Sequence, residues 1–233
     1  MMSAKDEGPP PLEWQLEKMR DDWDQRAREN ARHFVATGQE QWTDDEFYAH
    51  GRQSVDEYIR NDMTNICQGK PPQDMRVLEI GCGAGRVTRA LGELFGEVHA
   101  VDVSGEMIAL AKKALAAFPR VYLYTNNGRD LGVLPDRPFD FAFSMIVFQH
   151  IANLEVIENY IREVHRLLRP GGLFKFQVQG HVTPGEHIDL TDTWSGAPVS
   201  GEIAQSMADR CGFDFRYRAG ELTQYYWLWF FKK

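Results

Sequence analysis

The residues that could do chemistry begin at Glu79. It stands just ahead of the run Gly81-Cys82-Gly83-Ala84-Gly85, where three glycines alternate between a short apolar segment and an amphipathic one. Such a run lets the backbone turn sharply and approach a ligand with no Cβ in the way. The dinucleotide fingerprint G-x-G-x-x-G lays a helix N-terminus on a pyrophosphate. Here the third glycine arrives one position early, and Arg86 occupies the place of the expected one. A carboxylate at Glu79 would repel a pyrophosphate and favour a cation. A second carboxylate, Asp102, closes the next apolar segment, where an acid can accept both hydroxyls of a ribose. Together the two acids imply a nucleoside bearing positive charge. S-adenosylmethionine has an ammonium, a sulfonium and a free ribose.

The motifs resemble those of the class I S-adenosylmethionine-dependent methyltransferases. LEIGCGAG matches the first motif, E-x-G-x-G-x-G, and VDVS matches the acidic second-strand motif. NNGRDL, FDFAFSMIVFQHI and LRPGGLFKF follow in the family's order, so that the resemblance covers about residues 75–178. Within the family the chain looks most like small-molecule methyltransferases with a helical N-terminal cap. The resemblance implies that Gly81, Cys82, Gly83 and Gly85 line the methionine end, with Glu79 orienting the loop or meeting the amino group through water. It implies that Asp102 holds the ribose and that Val103 and Met107 flank the adenine. Gly128, Arg129 and Asp130 would meet the adenine edge, although the acid expected directly after glycine is here Arg129. Ser144 falls where a backbone carbonyl meets the methionine ammonium.

His150 follows the fourth apolar segment in VFQHI and is the best candidate base, since a histidine titrates near neutrality and strand ends face the ligand crevice in such folds. Gln149 beside it is a candidate polar contact. His181, His187 and Trp194 lie in a long aperiodic stretch, 181–198, read as a substrate loop; their spacing defends no metal site, and none is expected. Trp23 and Tyr225 complete the candidate acceptor contacts, Trp23 also fitting a purely packing role.

These residues need a frame. Residues 1–11 read as a disordered leader, and two helical stripes follow: Leu12, Leu16, Met19, Trp23, Ala27, Ala31 and Phe34, then Phe47, Gly51, Val55, Ile59 and Ile66. From Met75 the pattern changes to strand and helix in alternation. RVLEIG, EVHAVDVS, VYLYTN, FDFAFSMIVF and LFKFQVQ read as strands. The helix beginning at Ser104 is expected to run to Pro119, and the one beginning at Asn153 to close at PGG, 170–172. A last helix over about 200–211 precedes two strands joined near Gly220, which the resemblance makes an antiparallel pair. The expected fold is α/β: a Rossmann-like, doubly wound, mostly parallel sheet with an antiparallel C-terminal strand pair. Two parts are expected, a leader and helical cap over 1–74 and an S-adenosylmethionine-binding domain over 75–233.

The 233 residues carry 34 acids against 26 Lys and Arg, a formal charge of −8. That balance argues against nucleic acid or an anionic membrane as partner. Three cysteines, no secretory signal and no apolar run of spanning length point to a cytoplasmic protein acting on a small-molecule methyl acceptor. No signal for an oligomeric state is present. Two rivals stay open: an NAD(P)-dependent oxidoreductase, opposed by the early third glycine and Glu79, and a non-catalytic module that binds the cofactor.

Overall fold

The computed structural model describes residues 10–181 and 189–233; most of the predicted leader, and His187, lie outside them. Helix α1 (Leu12–Val35) buries Met19, Ala27 and Ala31 along its stripe. It breaks at Asn30, whose φ of −164° and ψ of 77° leave the helical region, and the Asn30 carboxamide oxygen accepts from the His33 amide and starts the last turn. Helix α2 (Asp44–Tyr58) opens with a reciprocal Thr43–Glu46 capping box. The second stripe was expected to run on to Ile66. Instead a 3-10 turn, Arg60–Asp62, separates α2 from the short α3 (Met63–Cys67). The cause is tertiary: the buried Lys175 ammonium takes the Tyr58 carbonyl and the Asp62 carboxylate, and Asp62 also accepts from the Trp229 indole.

The strands are β1 (Arg76–Ile80), β2 (Glu97–Asp102), β3 (Val121–Thr125), β4 (Phe139–Ser144), β5 (Leu168–Val178), β6 (Phe213–Ala219) and β7 (Tyr226–Lys232). They form one sheet in the order β3-β2-β1-β4-β5-β7-β6. The first five are parallel, and β7 runs antiparallel between β5 and β6. The expected architecture is therefore borne out. Helices α4 (Arg86–Leu94), α5 (Gly105–Ala114), α6 (Leu154–Leu167) and α7 (Gly201–Arg210) cover it. Alternate residues of β1 feed opposite cores. Leu78 and Ile80 join Phe174, Phe176 and the α6 stripe, whereas Val77 joins Phe141, Phe143, Leu91 and Trp227.

Three boundaries differ from expectation. Helix α5 ends at Ala114, ahead of Pro119. PGG does not separate α6 from the next strand; β5 already begins at Leu168 and absorbs Pro170 and Gly171 in a register shift against β4. Strand β4 stops at Ser144 rather than at Phe148, and the chain turns sharply through Ile146 into a 3-10 turn, Phe148–His150. The strand order reverses between β1 and β4. In open parallel sheets that reversal opens a crevice at the strand C-termini, and α1 lies across it. Among the described residues no helix is long and apolar enough to cross a membrane.

Candidate active site

The crevice holds a cleft, partly open to solvent, lined by the ends of β1 and β2, the turn after β4 and α1. Its floor is the end of β1 and the glycine loop. Gly81 and Gly83 have φ of 75° and 51°. A Cβ at Gly83 would come within 2.7 Å of Val35 on α1, and one at Gly81 within 2.1 Å of Val147. Both positions therefore demand glycine for conformation and for space.

Glu79 is 4% exposed, and its Oε2 has no hydrogen-bond partner within the chain. Burial pushes its carboxyl up to about 7 against the opposing pull of Thr88 and Arg86. An orphaned buried carboxylate oxygen is a site for a cationic or N–H-bearing ligand. Arg86, also buried, bonds the Ser54 hydroxyl at 2.9 Å and leaves its own Nε without a partner. It lines the same cleft, so an anionic ligand group would find a donor there.

Asp102 closes β2. Its Oδ2 accepts from the Gly83 amide at 2.8 Å and its Oδ1 from the Ser104 amide at 2.9 Å. Each oxygen keeps a second lone pair for an incoming hydroxyl. Burial, reinforced by Asp24, pushes Asp102 up to about 6, against the backbone donors that pull it down. Val103 and Met107 line the cleft beside it.

On the β4 side, the β-branched Ile146 sits at φ 56°, a left-handed conformation that costs on the order of 1–3 kcal/mol. Its amide donates to Gln177 Oε1 on β5, and Gln177 in turn donates to Gln149 Oε1. The turn so held presents Met145, Ile146, Val147 and His150 to the cleft. His150 is 6% exposed, and its Nδ1 meets the Trp194 carbonyl. A carbonyl only accepts, so the proton sits on Nδ1 and Nε2 is an unprotonated acceptor. Burial, helped by Arg26, pushes the imidazole down to about 4. Trp23 meets His150 edge-on at 5.3 Å and stacks with Trp194 at 6.3 Å, while Phe34 meets Trp194 at 6.1 Å.

Of the residues singled out in the sequence, Glu79, Gly81, Cys82, Gly83, Asp102, Val103, Met107, His150 and Trp23 line this one cleft. The others do not. Gly85 packs against Ala111 and Leu115 of α5. Gly128 lies under Met19 and Val103, Arg129 is exposed, and Asp130 closes a turn by accepting from Asn127 and Gly132. Ser144 ties β4 to β1 through the Ile80 carbonyl. Gln149 braces Gln177. Trp194 covers His150 from outside and is 40% exposed; Tyr225 is 47% exposed and His181 is also at the surface.

The sequence reading missed Asn126 and Tyr160 as cleft residues and treated Arg86 as a replaced glycine. Asn126, directly after β3, donates to the Tyr160 hydroxyl at 2.7 Å and to the Asp130 carbonyl, and its Oδ1 is buried without a partner. Its place at a strand C-terminus was the available signal.

Residues 77–172 match the protein family described as a methyltransferase domain. Residues 77–172 are a methyltransferase domain. The resemblance drawn from the motifs is borne out at this level. The chain is similar to the mitochondrial ubiquinone biosynthesis O-methyltransferase of Rattus norvegicus, 27% identical over 201 residues, covering 74% of this chain and 56% of the relative. It is also similar to the malonyl-[acyl-carrier protein] O-methyltransferase of Priestia megaterium, 34% identical over 113 residues, covering 48% and 39%. The chain thus spans roughly two-fifths to just over half the length of these curated relatives. Among solved structures, magnesium protoporphyrin IX methyltransferase from Synechocystis with bound S-adenosylmethionine aligns at a TM-score of 0.65 and 16% identity, over 94% of this chain and 97% of that one. That likeness shows the fold. The cleft of the methyltransferase domain lies where its first two strands end, and α1 roofs it.

Proposed function

We propose that this chain transfers a methyl group from S-adenosylmethionine to oxygen or nitrogen of a small-molecule acceptor. The observation that carries the proposal is the unpartnered, buried Glu79 Oε2 facing the same cleft as the Cβ-free backbone of Gly81 and Gly83 and the braced carboxylate of Asp102. The donor set fits the ligand. Glu79 suits an ammonium, Asp102 suits two ribose hydroxyls, and Arg86 suits a carboxylate. When bound, S-adenosylmethionine supplies a methyl carbon made electrophilic by its sulfonium.

The protein's part is placement and exclusion of water. Trp23, Phe34 and Val35 of α1 roof the cleft, and Met145, Ile146 and Val147 wall it from the sheet side. Holding an acceptor near ~3–3.5 Å from the methyl carbon supplies much of the rate. His150 is neutral at neutral pH and offers Nε2 as a proton acceptor to an acceptor that must lose a proton. The buried carboxylates of Glu79 and Asp102 on the glycine-loop side oppose a pyrophosphate and weigh against the nicotinamide alternative.

Titration calorimetry with S-adenosylhomocysteine and with NADH tests the proposal. Binding of the first and not the second is expected, and the reverse overturns it. Asp102→Ala is expected to weaken S-adenosylhomocysteine binding by about tenfold to a hundredfold, since bonds to a charged acceptor are worth ~1.5–3 kcal/mol each. An unchanged affinity would remove Asp102 from the ribose.

A further inference from the structure

Charge is divided unequally across the cleft. Glu79 on β1, Asp102 on β2 and Arg86 on α4 stand on the glycine-loop side. On the β4 side the walls are Trp23, Phe34, Met145, Ile146 and Val147, and among the described cleft residues there His150 supplies a neutral ring nitrogen. The charged groups nearby are already engaged. Arg26 lies over the Trp23 and Trp194 rings, at 4.7 and 5.3 Å, and bonds the Thr193 carbonyl and hydroxyl. Asp22 accepts from Thr193 and Lys18, and Asp192 accepts from the Trp194 amide.

An acceptor on this side therefore meets aromatic and aliphatic surface and one neutral nitrogen acceptor. A primary amine, ordinarily protonated near pH 10, would enter as an ammonium with no carboxylate among the described residues of this side to hold it, and burial of an unpaired charge is costly. A carboxylate would enter with no free cation among the described residues there. A hydroxyl enters neutral and donates to His150 Nε2. Among hydroxyls a phenol releases its proton far more readily than an aliphatic alcohol, and its flat ring suits walls of tryptophan and phenylalanine.

We propose that the acceptor is an uncharged aromatic hydroxyl compound, its ring lying against Trp23 and Phe34 and its O–H donating to His150 Nε2. This rests on the methyl-transfer reading above. The phenol oxygen forms a bond to the donor's methyl carbon as the carbon–sulfur bond breaks. The sulfur keeps that electron pair and becomes a neutral thioether. The hydroxyl proton passes to His150 Nε2 and from the imidazolium to solvent. The Trp194 carbonyl holds Nδ1–H throughout and fixes which nitrogen accepts.

Three probes with one ring and different nucleophiles test it: 4-methylcatechol, benzylamine and benzoate. Each is titrated into the full chain saturated with S-adenosylhomocysteine and assayed with methyl-labelled S-adenosylmethionine. The catechol is expected to bind tightest and to give an O-methyl ether. Trp23→Ala and Phe34→Leu should each weaken catechol binding about tenfold, the worth of an aromatic contact, with S-adenosylhomocysteine affinity and melting temperature showing that the fold stands. His150→Gln should keep catechol affinity and lower kcat by about a hundredfold, the usual share of a proton acceptor. Tighter binding or faster turnover of benzylamine or benzoate overturns the proposal, as does absence of catechol binding or catechol affinity indifferent to both aromatic variants. Failure of S-adenosylhomocysteine to bind the unaltered chain overturns the methyl-transfer reading and this inference together; its binding alongside an N-methyl product overturns this inference alone.

Discussion

Glu79 shows what a single buried carboxyl with an unpartnered oxygen costs. Burial lifts it from its ordinary range to about 7, so the folded chain holds this proton more tightly than the unfolded chain does. The stabilisation from that proton is complete below pH 4.5 and is lost as pH rises through 7. The loss is on the order of 3 kcal/mol, from the shift between the two values. Glu79→Gln removes the titration. Urea unfolding of the ligand-free variant should therefore show a flatter stability profile between pH 5 and 8 than the unaltered chain, with greater stability at the alkaline end and weaker S-adenosylhomocysteine binding. A variant that falls as steeply as the parent would show that Glu79 is not the titrating group. His150 acts in the opposite sense. Its folded value near 4 makes acidification below 6.5 destabilising, and that arm should survive in Glu79→Gln.

At the scale of elements, α1 is fastened to the sheet domain by polar clasps as well as by its apolar stripe, whose Met19 joins the main core and whose Ala27 and Ala31 pack with Ala84 and Met107. The Asp24 carboxylate accepts from the Ser104 hydroxyl at 2.6 Å and from the Glu106 amide, so it caps α5 from outside that helix. Arg28 pairs with Glu106, and Asn153 donates to Gln15. Asp24→Ala should lower stability by about 1–2 kcal/mol, the worth of a capping bond, measured by denaturant midpoint, and should speed dissociation of S-adenosylhomocysteine in stopped flow. An unchanged dissociation rate would separate the clasp from ligand retention.

Elements were legible in the sequence where a local pattern decides them. The strands β1 and β2, the cap Asn153 of α6 and the glycine loop all fall where periodicity and capping put them. The reading failed where a distant residue decides. The α2 stripe breaks because Lys175, far along the chain, claims the Tyr58 carbonyl, and β4 ends early because Gln177 holds the Ile146 amide. Asn126 and Arg86 were missed as cleft residues for the same reason: their unpartnered atoms exist only once the cleft does.

Over the whole molecule, the cleft, its floor and its roof are built from segments between Met19 and Tyr160. A ligand there joins α1 to β1, β2 and the turn after β4, and it binds only the folded chain. At a hundredfold excess over its dissociation constant, S-adenosylhomocysteine should add about 2.7 kcal/mol, a rise of roughly 5–10 °C in Tm for a chain of this size. NADH at equal concentration should leave Tm unchanged. Equal shifts for both would argue for a cleft that reads the adenosine alone.

Helix α1 reaches partners spread from Ser104 through Asn153 to Thr193. A ribosome delivers α1 before any of those partners has been made. The apolar stripe of Met19, Ala27 and Ala31 must then wait, uncovered, while the rest of the polypeptide is synthesised. Helix α1 is thus made before the partners it docks on, and a chaperone that shields nascent apolar helices would find a target there.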